Sequence, residues 1–350
     1  MKNITYLIGA GASYQSLPLI KTMSKRMKAF SDYLKQKKEK GKLENESAKL
    51  FIEELDILLE NEKESTSIDA YAKELTNSNK TMELHRLKII LSSYIIFEQL
   101  IKPKDLIFYE EDSSTKLSDE LQEMLLNPLD KRYRTFWSNY INGPNSKPSS
   151  NIKVISWNYD MQFEFSFSKL KGYSLEMTQQ ELQVFPSENN DFDKSKFGIL
   201  KINGTAGIYK DKTVTSFKNL FDLKEHKLDD YNINILLEYF KANYRRVYSE
   251  PIFSFAWEKT SIVENTRTIA KEIIKNTEIL VIIGYSLPSF NREIDRELFS
   301  DISNLEKIYY QAPENEINSL KMKLDGINPN LSKMTVGIND LDSFHIPNEY

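Results

Sequence analysis

Four short apolar segments, each running into a small or polar turn, restrict the folds open to this chain more than any other feature. "ITYLI" at 4–8 breaks into "GAGAS", "NIKVISWNYD" covers 151–160, "KFGILKING" covers 196–204 and "EILVIIGYSL" covers 278–287. A further candidate strand is "KIYYQAP" at 307–313. β-Branched and apolar runs of this kind mark strands buried on both faces. Helical segments such as "TSIVENTRTIAKEIIKN" at 260–276 lie between them. Buried strands alternating with helices predict an α/β fold, a Rossmann-like parallel sheet with helices on both faces.

From about Pro18 to Tyr140 the pattern changes to long helices, including "SAKLFIEELDILLE", "SIDAYAKEL", "LHRLKIILSSYIIFEQLI" and "KRYRTFWSNYI", with apolar residues three and four apart. The expected organisation is therefore a discontinuous Rossmann-like core at 1–20 and 150–315, a large helical insertion at 21–149 and a tail at 316–350. "NGPNSKPSSN" at 142–151 reads as the linker back to the sheet. The basic run "KQKKEKGK" at 35–42 reads as a solvated helix end, with a binding arm as the alternative.

The composition narrows the partners. Lysine and arginine number 47 against 51 acidic residues, and a net charge of −4 gives no general attraction to nucleic acid or an anionic membrane, so neither is expected as a partner. The chain has no cysteine, which excludes disulfides, thiol nucleophiles and thiolate zinc sites, and no metal is expected. The first apolar run stops at Gly9, short of a signal peptide or membrane span, so a cytoplasmic protein is expected.

In an open parallel sheet, ligands gather outside the carboxyl ends of the strands. The first such turn, Gly9-Ala10-Gly11-Ala12-Ser13, would let backbone N–H groups approach a diphosphate and aim the following helix at it; the alternative is a tight turn without a ligand. It is not a full G-x-G-x-x-G, because Gln15 and Ser16 follow Tyr14. Asn158 can donate and accept, which suits ribose hydroxyls or a positioned water, and Asp160 can hold an amide or a developing cation; an Asx turn is the alternative. Asn203-Gly204-Thr205 and Gly284-Tyr285-Ser286-Leu287-Pro288 complete the set.

Together, and in this order, "GAGAS", "NYD", "NG" and "GYSLP" resemble the motifs of the sirtuin-like family of NAD-consuming enzymes. They look most like the bacterial sirtuin-like domains of anti-phage systems, in which a long helical insertion separates the first two motifs. The resemblance covers 1–20 and 150–315 by motif, and the insertion by position and length. It implies NAD as substrate or ligand. Gly9, Ala10, Gly11, Ala12 and Ser13 would take the diphosphate, and Asn158 would orient the ribose hydroxyls or water. Asp160 would sit at the nicotinamide end, and Gly284, Tyr285 and Ser286 would flank the adenosine side. The family's deacylases carry a four-cysteine zinc ribbon, so a chain without cysteine fits the NAD-degrading branch.

Asn203 stands where the family places its catalytic histidine. Asparagine orients by hydrogen bonds but takes no proton at neutral pH, and losing a general base typically costs about 10²–10⁴-fold. Asp160 could serve as the base if an apolar wall raises its pKa; of the three histidines, His85 on a helix of the insertion reads as a surface or helix-packing residue, His226 as a solvated loop or helix-end residue, and His345 lies in the tail. The function expected from the resemblance is an NAD+ glycohydrolase releasing nicotinamide and ADP-ribose, an anti-phage effector. The alternative is a catalytically degenerate NAD- or ADP-ribose-binding module acting as sensor or scaffold, with a Rossmann oxidoreductase as a more distant third. A toxic activity needs control, so a homo-oligomer or a complex with a defence-system partner is expected. The apolar-rich "SSYIIFEQLI" of the insertion is the expected docking surface.

Overall fold

The structure, a computed structural model, describes residues 1–64, 67–100, 129–141, 143, 146–186, 192–209, 230–245 and 251–350. The chain divides into two compact units. One comprises Met1–Ser13, Asp130–Gly204 and Ala256–Tyr350, the other Tyr14–Leu129 and Thr205–Phe255. The expected linker at 142–151 and the site of His226 fall partly and wholly outside the described residues.

The first unit is built on a seven-stranded sheet of β1 (Ile4–Ile8), β2 (Ile152–Ser156), β3 (Val184–Phe185), β4 (Gly198–Lys201), β7 (Ile279–Ile283), β8 (Lys307–Gln311) and β9 (Thr335–Ile338), in the order β3-β4-β2-β1-β7-β8-β9. Every neighbouring pair is parallel. Ile8 lies beside Ser156 on one side and Ile283 on the other, so all carboxyl ends share one edge. The chain builds outward from β1 through β2, then returns to add β7 on the opposite side. The gap between β1 and β7 is therefore the topological switch point.

Alternation along each strand divides the core into two layers. Leu7, Ile155, Leu200 and Ile282 face α9 (Ser261–Lys275), α10 (Arg292–Leu298) and α11 (Glu314–Asp325), meeting Ala270, Ile274, Leu298 and Leu324. Tyr6, Ile8, Val154, Ile199 and Val281 face the other layer, which contains α5 (Lys131–Tyr140) and α6 (Gln162–Lys171). There Trp137 is fully buried, its indole N–H donates to the Phe163 carbonyl (3.0 Å), and its ring meets Phe167 edge-on at 4.9 Å. Burying a side chain of this size contributes roughly 1.5–3 kcal/mol.

Helix ends follow local chemistry. Thr260 caps α9 by accepting from the Val263 N–H, and Gly172 closes α6 in the left-handed region at φ 68°. Two further elements of this unit are α7 (Leu175–Glu181) and α12 (Pro329–Lys333).

The structure corrects three expectations about how the elements are ordered. No long helix follows the β1 turn directly: Ala10–Ser13 make a 3-10 turn, and α1 begins only at Ile20. Pro18 is the local reason, since it disfavours helical backbone at Leu17 and lacks an N–H. The segment 316–350 is no mere tail, because it completes α11 and adds α12 and β9, which pairs with β8. And α5, read as part of the insertion, packs its aromatic face on the sheet.

The second unit contains α1 (Ile20–Glu39), α2 (Asn45–Glu64), α3 (Ile68–Asn77), α4 (Thr81–Leu100) and α8 (Asp230–Tyr244), with β5 (Gly204–Tyr209) and β6 (Pro251–Phe253) forming a small two-stranded sheet. The expected docking surface on α4 is corrected: Tyr94, Ile96, Phe97 and Leu100 are buried, with Phe97 against Phe30 and Phe51. From Leu87 onward α4 is buried nearly all round, so this stretch is part of the core of the unit. Arg26 and Glu98 form a buried ion pair at 2.9 Å within it. The basic run is the end of α1, where Lys35 pairs with Asp56 (2.7 Å) and Lys37 with Asp230 (2.6 Å). Among the described residues, no helix is long and apolar enough to cross a membrane.

Candidate functional site

The sheet ladders continue one residue past the strands and deliver three turns to the same edge. Gly9 N–H donates to the Ile283 carbonyl (3.0 Å), Trp157 N–H to that of Ile8 (2.9 Å) and Ile202 N–H to that of Ser156 (2.9 Å). At the switch point the turns after β1 and β7 then touch backbone to backbone. Gly11 N–H donates to the Gly284 carbonyl at 2.8 Å. A Cβ on Gly284 would lie 2.1 Å from the Ala12 nitrogen, and one on Gly9 would lie 2.5 Å from the Tyr285 Cα. Gly284 also has a φ of +61°, which an L side chain rarely adopts. The close approach that these glycines permit is thus between the two turns. The N–H groups of Gly9, Gly11 and Ala12 all donate within the protein, the last to the Gly9 carbonyl (2.9 Å).

A compact polar cluster ties the β1 turn to the β2 turn. Asn158 Nδ2 donates to the Gly9 carbonyl (3.0 Å) and reaches Ser13 Oγ at 3.5 Å. Ser13 Oγ donates to Asp160 Oδ2 (2.8 Å), and Asp160 Oδ1 accepts from the Gln162 N–H (3.1 Å). The second contact is an Asx turn, so Asp160 shapes its own loop while also bonding to the glycine turn. Tyr133 Oη lies 2.7 Å from Ser13 Oγ. The single Ser13 proton goes to Asp160, so Tyr133 is the donor in that contact. Burial, with the Asp160 charge adding to it, holds the Tyr133 hydroxyl well above its usual pKa, in keeping with a permanent donor.

Beneath this cluster lies a buried ion pair. Lys201, the last residue of β4, pairs with Glu164 at 3.1 Å, and Lys201 Nζ also donates to the Asp160 carbonyl. Burial raises the Glu164 pKa against the opposing pull of Lys201.

The remaining candidates are distributed differently. Asn203 is 7% exposed, and its Oδ1 has no hydrogen-bond partner among the described residues. Tyr285 turns inward: its ring stacks on Trp157 (5.4 Å, 12°), and its hydroxyl donates to Asp295 Oδ1 (2.8 Å) and accepts from Asn291 Nδ2 (2.9 Å). Only its backbone stands at the sheet edge. Ser286 is exposed, its carbonyl accepting from Lys323 Nζ (2.7 Å), and Ala10 is exposed at the tip of the first turn. His85 lies on α4 in the other unit, and His345 packs against the Tyr309 ring (4.3 Å), where burial lowers its pKa.

Sequence reasoning passed over Asp130, Arg132, Tyr133, Glu164 and Lys201. Only Lys201 carried a local signal, a lysine ending an otherwise apolar strand. Compared with known proteins, the chain matches no family model and no curated sequence.

Proposed function

We propose that the sheet unit binds NAD+ along the carboxyl edge of the sheet and cleaves its nicotinamide–ribose bond, as an NAD+ glycohydrolase releasing nicotinamide and ADP-ribose. One observation carries this reading: Asn158 and Asp160, after β2, are joined in a single hydrogen-bonded cluster to the glycine turn after β1, whose other side borders the switch point. Charge-bearing ligands gather there in open α/β sheets. With the N–H groups of Gly9, Gly11 and Ala12 already donating internally, the turn meets a diphosphate chiefly by close approach at exposed Ala10. Asp160 supplies negative charge for the oxocarbenium-like centre that forms as nicotinamide leaves, and that leaving group needs no protonation. Asn203 offers its unpartnered Oδ1 to orient a ribose hydroxyl or water without taking its proton. The reading extends to an anti-phage effector held quiet until a partner or self-assembly activates it.

The second reading is a binding module without turnover, acting as sensor or scaffold. It is favoured by the lack of a base at Asn203 and by the engagement of the Asn158 amide with Gly9 and Ser13. Calorimetry with ADP-ribose, combined with nicotinamide release from wild type, Asn203→His and Asn158→Ala, separates the two. Release that rises with Asn203→His and falls with Asn158→Ala supports the enzyme. Binding without release from any form supports the module, and no binding at millimolar ADP-ribose rejects both.

A further inference from the structure

The β1 turn is gripped by one helix from the sheet's aromatic layer. We infer that Arg132 and Tyr133, consecutive on α5, are the positioning residues of the dinucleotide-facing turn, an inference that rests on the NAD reading above. Arg132 Nη2 donates to the Ala12 carbonyl (2.8 Å) and reaches the Gly11 carbonyl at 3.4 Å. Asp130 clamps the same guanidinium, with Nε to Oδ1 at 3.0 Å and Nη2 to Oδ2 at 2.6 Å. Asp130 is itself fixed: its Oδ1 accepts from the Arg132 N–H (3.0 Å), capping α5, and its own N–H donates to Gln162 Oε1 (2.8 Å). Arg132, Asp130 and Tyr133 are all buried.

Two consequences follow from this geometry. The carboxylate of Asp130 neutralises the buried guanidinium, whose Nη2 is engaged by the Ala12 carbonyl, so Arg132 is placed to act through the turn it holds. In a trans peptide the C=O and N–H point opposite ways, so drawing the Gly11 and Ala12 carbonyls toward α5 fixes the tilt of both peptides. Tyr133 works one residue further on. By donating to Ser13 Oγ it leaves that hydroxyl one orientation, toward Asp160, and so sets the position of the carboxylate as well. The helix can bear this load because Phe136, Trp137 and Tyr140 are buried against the sheet and Phe344 meets the Tyr133 ring edge-on at 4.9 Å.

The test compares Tyr133→Phe and Arg132→Lys with Tyr140→Phe in the full chain. Tyr140→Phe is the control, since it removes a hydroxyl from the same helix whose partner is Tyr6. Two readouts are used, the ADP-ribose Kd by calorimetry and amide hydrogen exchange of residues 9–13. Tyr133→Phe should weaken binding about 3–10-fold and Arg132→Lys about 10-fold or more, the range that one or two lost hydrogen bonds give. Both should speed exchange in the turn, whereas Tyr140→Phe should leave Kd within about 2-fold and the turn's exchange unchanged. Wild type that binds while Tyr133→Phe and Arg132→Lys bind equally well overturns this inference alone. Wild type that takes no ADP-ribose at millimolar concentration overturns the NAD reading and this inference with it.

Discussion

Replacing Asp295 with asparagine tests whether one buried carboxyl sets the pH range over which the turn after β7 is stable. Asp295 lies on α10 with no exposed surface, and its Oδ1 meets the Tyr285 hydroxyl at 2.8 Å. Its Oδ2 has no hydrogen-bond partner among the described residues. Burial, only partly offset by the Tyr285 hydrogen bond and the charge of Arg292, pushes the carboxyl up from 3.8 to about 7. An acid raised in the folded state binds its proton more tightly there than in the unfolded chain. Its contribution is therefore complete below pH 3.8 and is lost as pH rises through about 7. That interval corresponds to roughly 4 kcal/mol. Asparagine keeps the shape, accepts from Tyr285 and does not ionise. Urea unfolding of wild type and Asp295→Asn, followed by fluorescence from about pH 4 to 8.5, should give curves that coincide in acid and diverge by up to roughly 4 kcal/mol above pH 7, with the variant more stable. Parallel curves across that range would refute the reasoning, because some other group would then carry the pH dependence.

Other outcomes follow from the same contacts. Asn203→His should raise nicotinamide release by about 10²-fold or more, since it supplies a base titrating near neutral pH; an unchanged rate in a wild type that already turns over would move the base elsewhere. Gly284→Ala should destabilise by at least about 1–3 kcal/mol from its positive φ alone, with the clash against the Ala12 nitrogen adding to it, seen as a lower urea midpoint. Lys201→Met should cost about 3–5 kcal/mol by leaving Glu164 buried and unpaired, and adding Glu164→Gln should recover much of that loss in the same assay.

Much of the architecture was legible in the chain alone. Strands at 4–8, 152–156, 198–201, 279–283 and 307–311 lie inside the segments that their apolar runs marked, because a strand covered on both faces needs apolar residues facing both ways along most of its length and that need is local. The helical faces of α2, α4, α5 and α9 were legible for the same reason. Strand β3, of two residues, was not, since so short a stretch carries no readable period, and β9 was not because it is an edge strand, mostly not buried and interrupted by Gly337. The glycines at 9, 11 and 284 announced a close approach, but what approaches was decided in three dimensions: the two turns meet each other across the switch point. Tyr285, placed by its motif beside a ligand, sends its ring into the core, because the turn's backbone occupies the edge and Trp157 offers the ring a face to stack on. Arg132 reaches carbonyls about 120 residues earlier in the chain, and no local pattern encodes a bond of that span. The residues that form elements can be read from their neighbours in sequence, whereas those that hold the candidate site in shape could be found only from their neighbours in space.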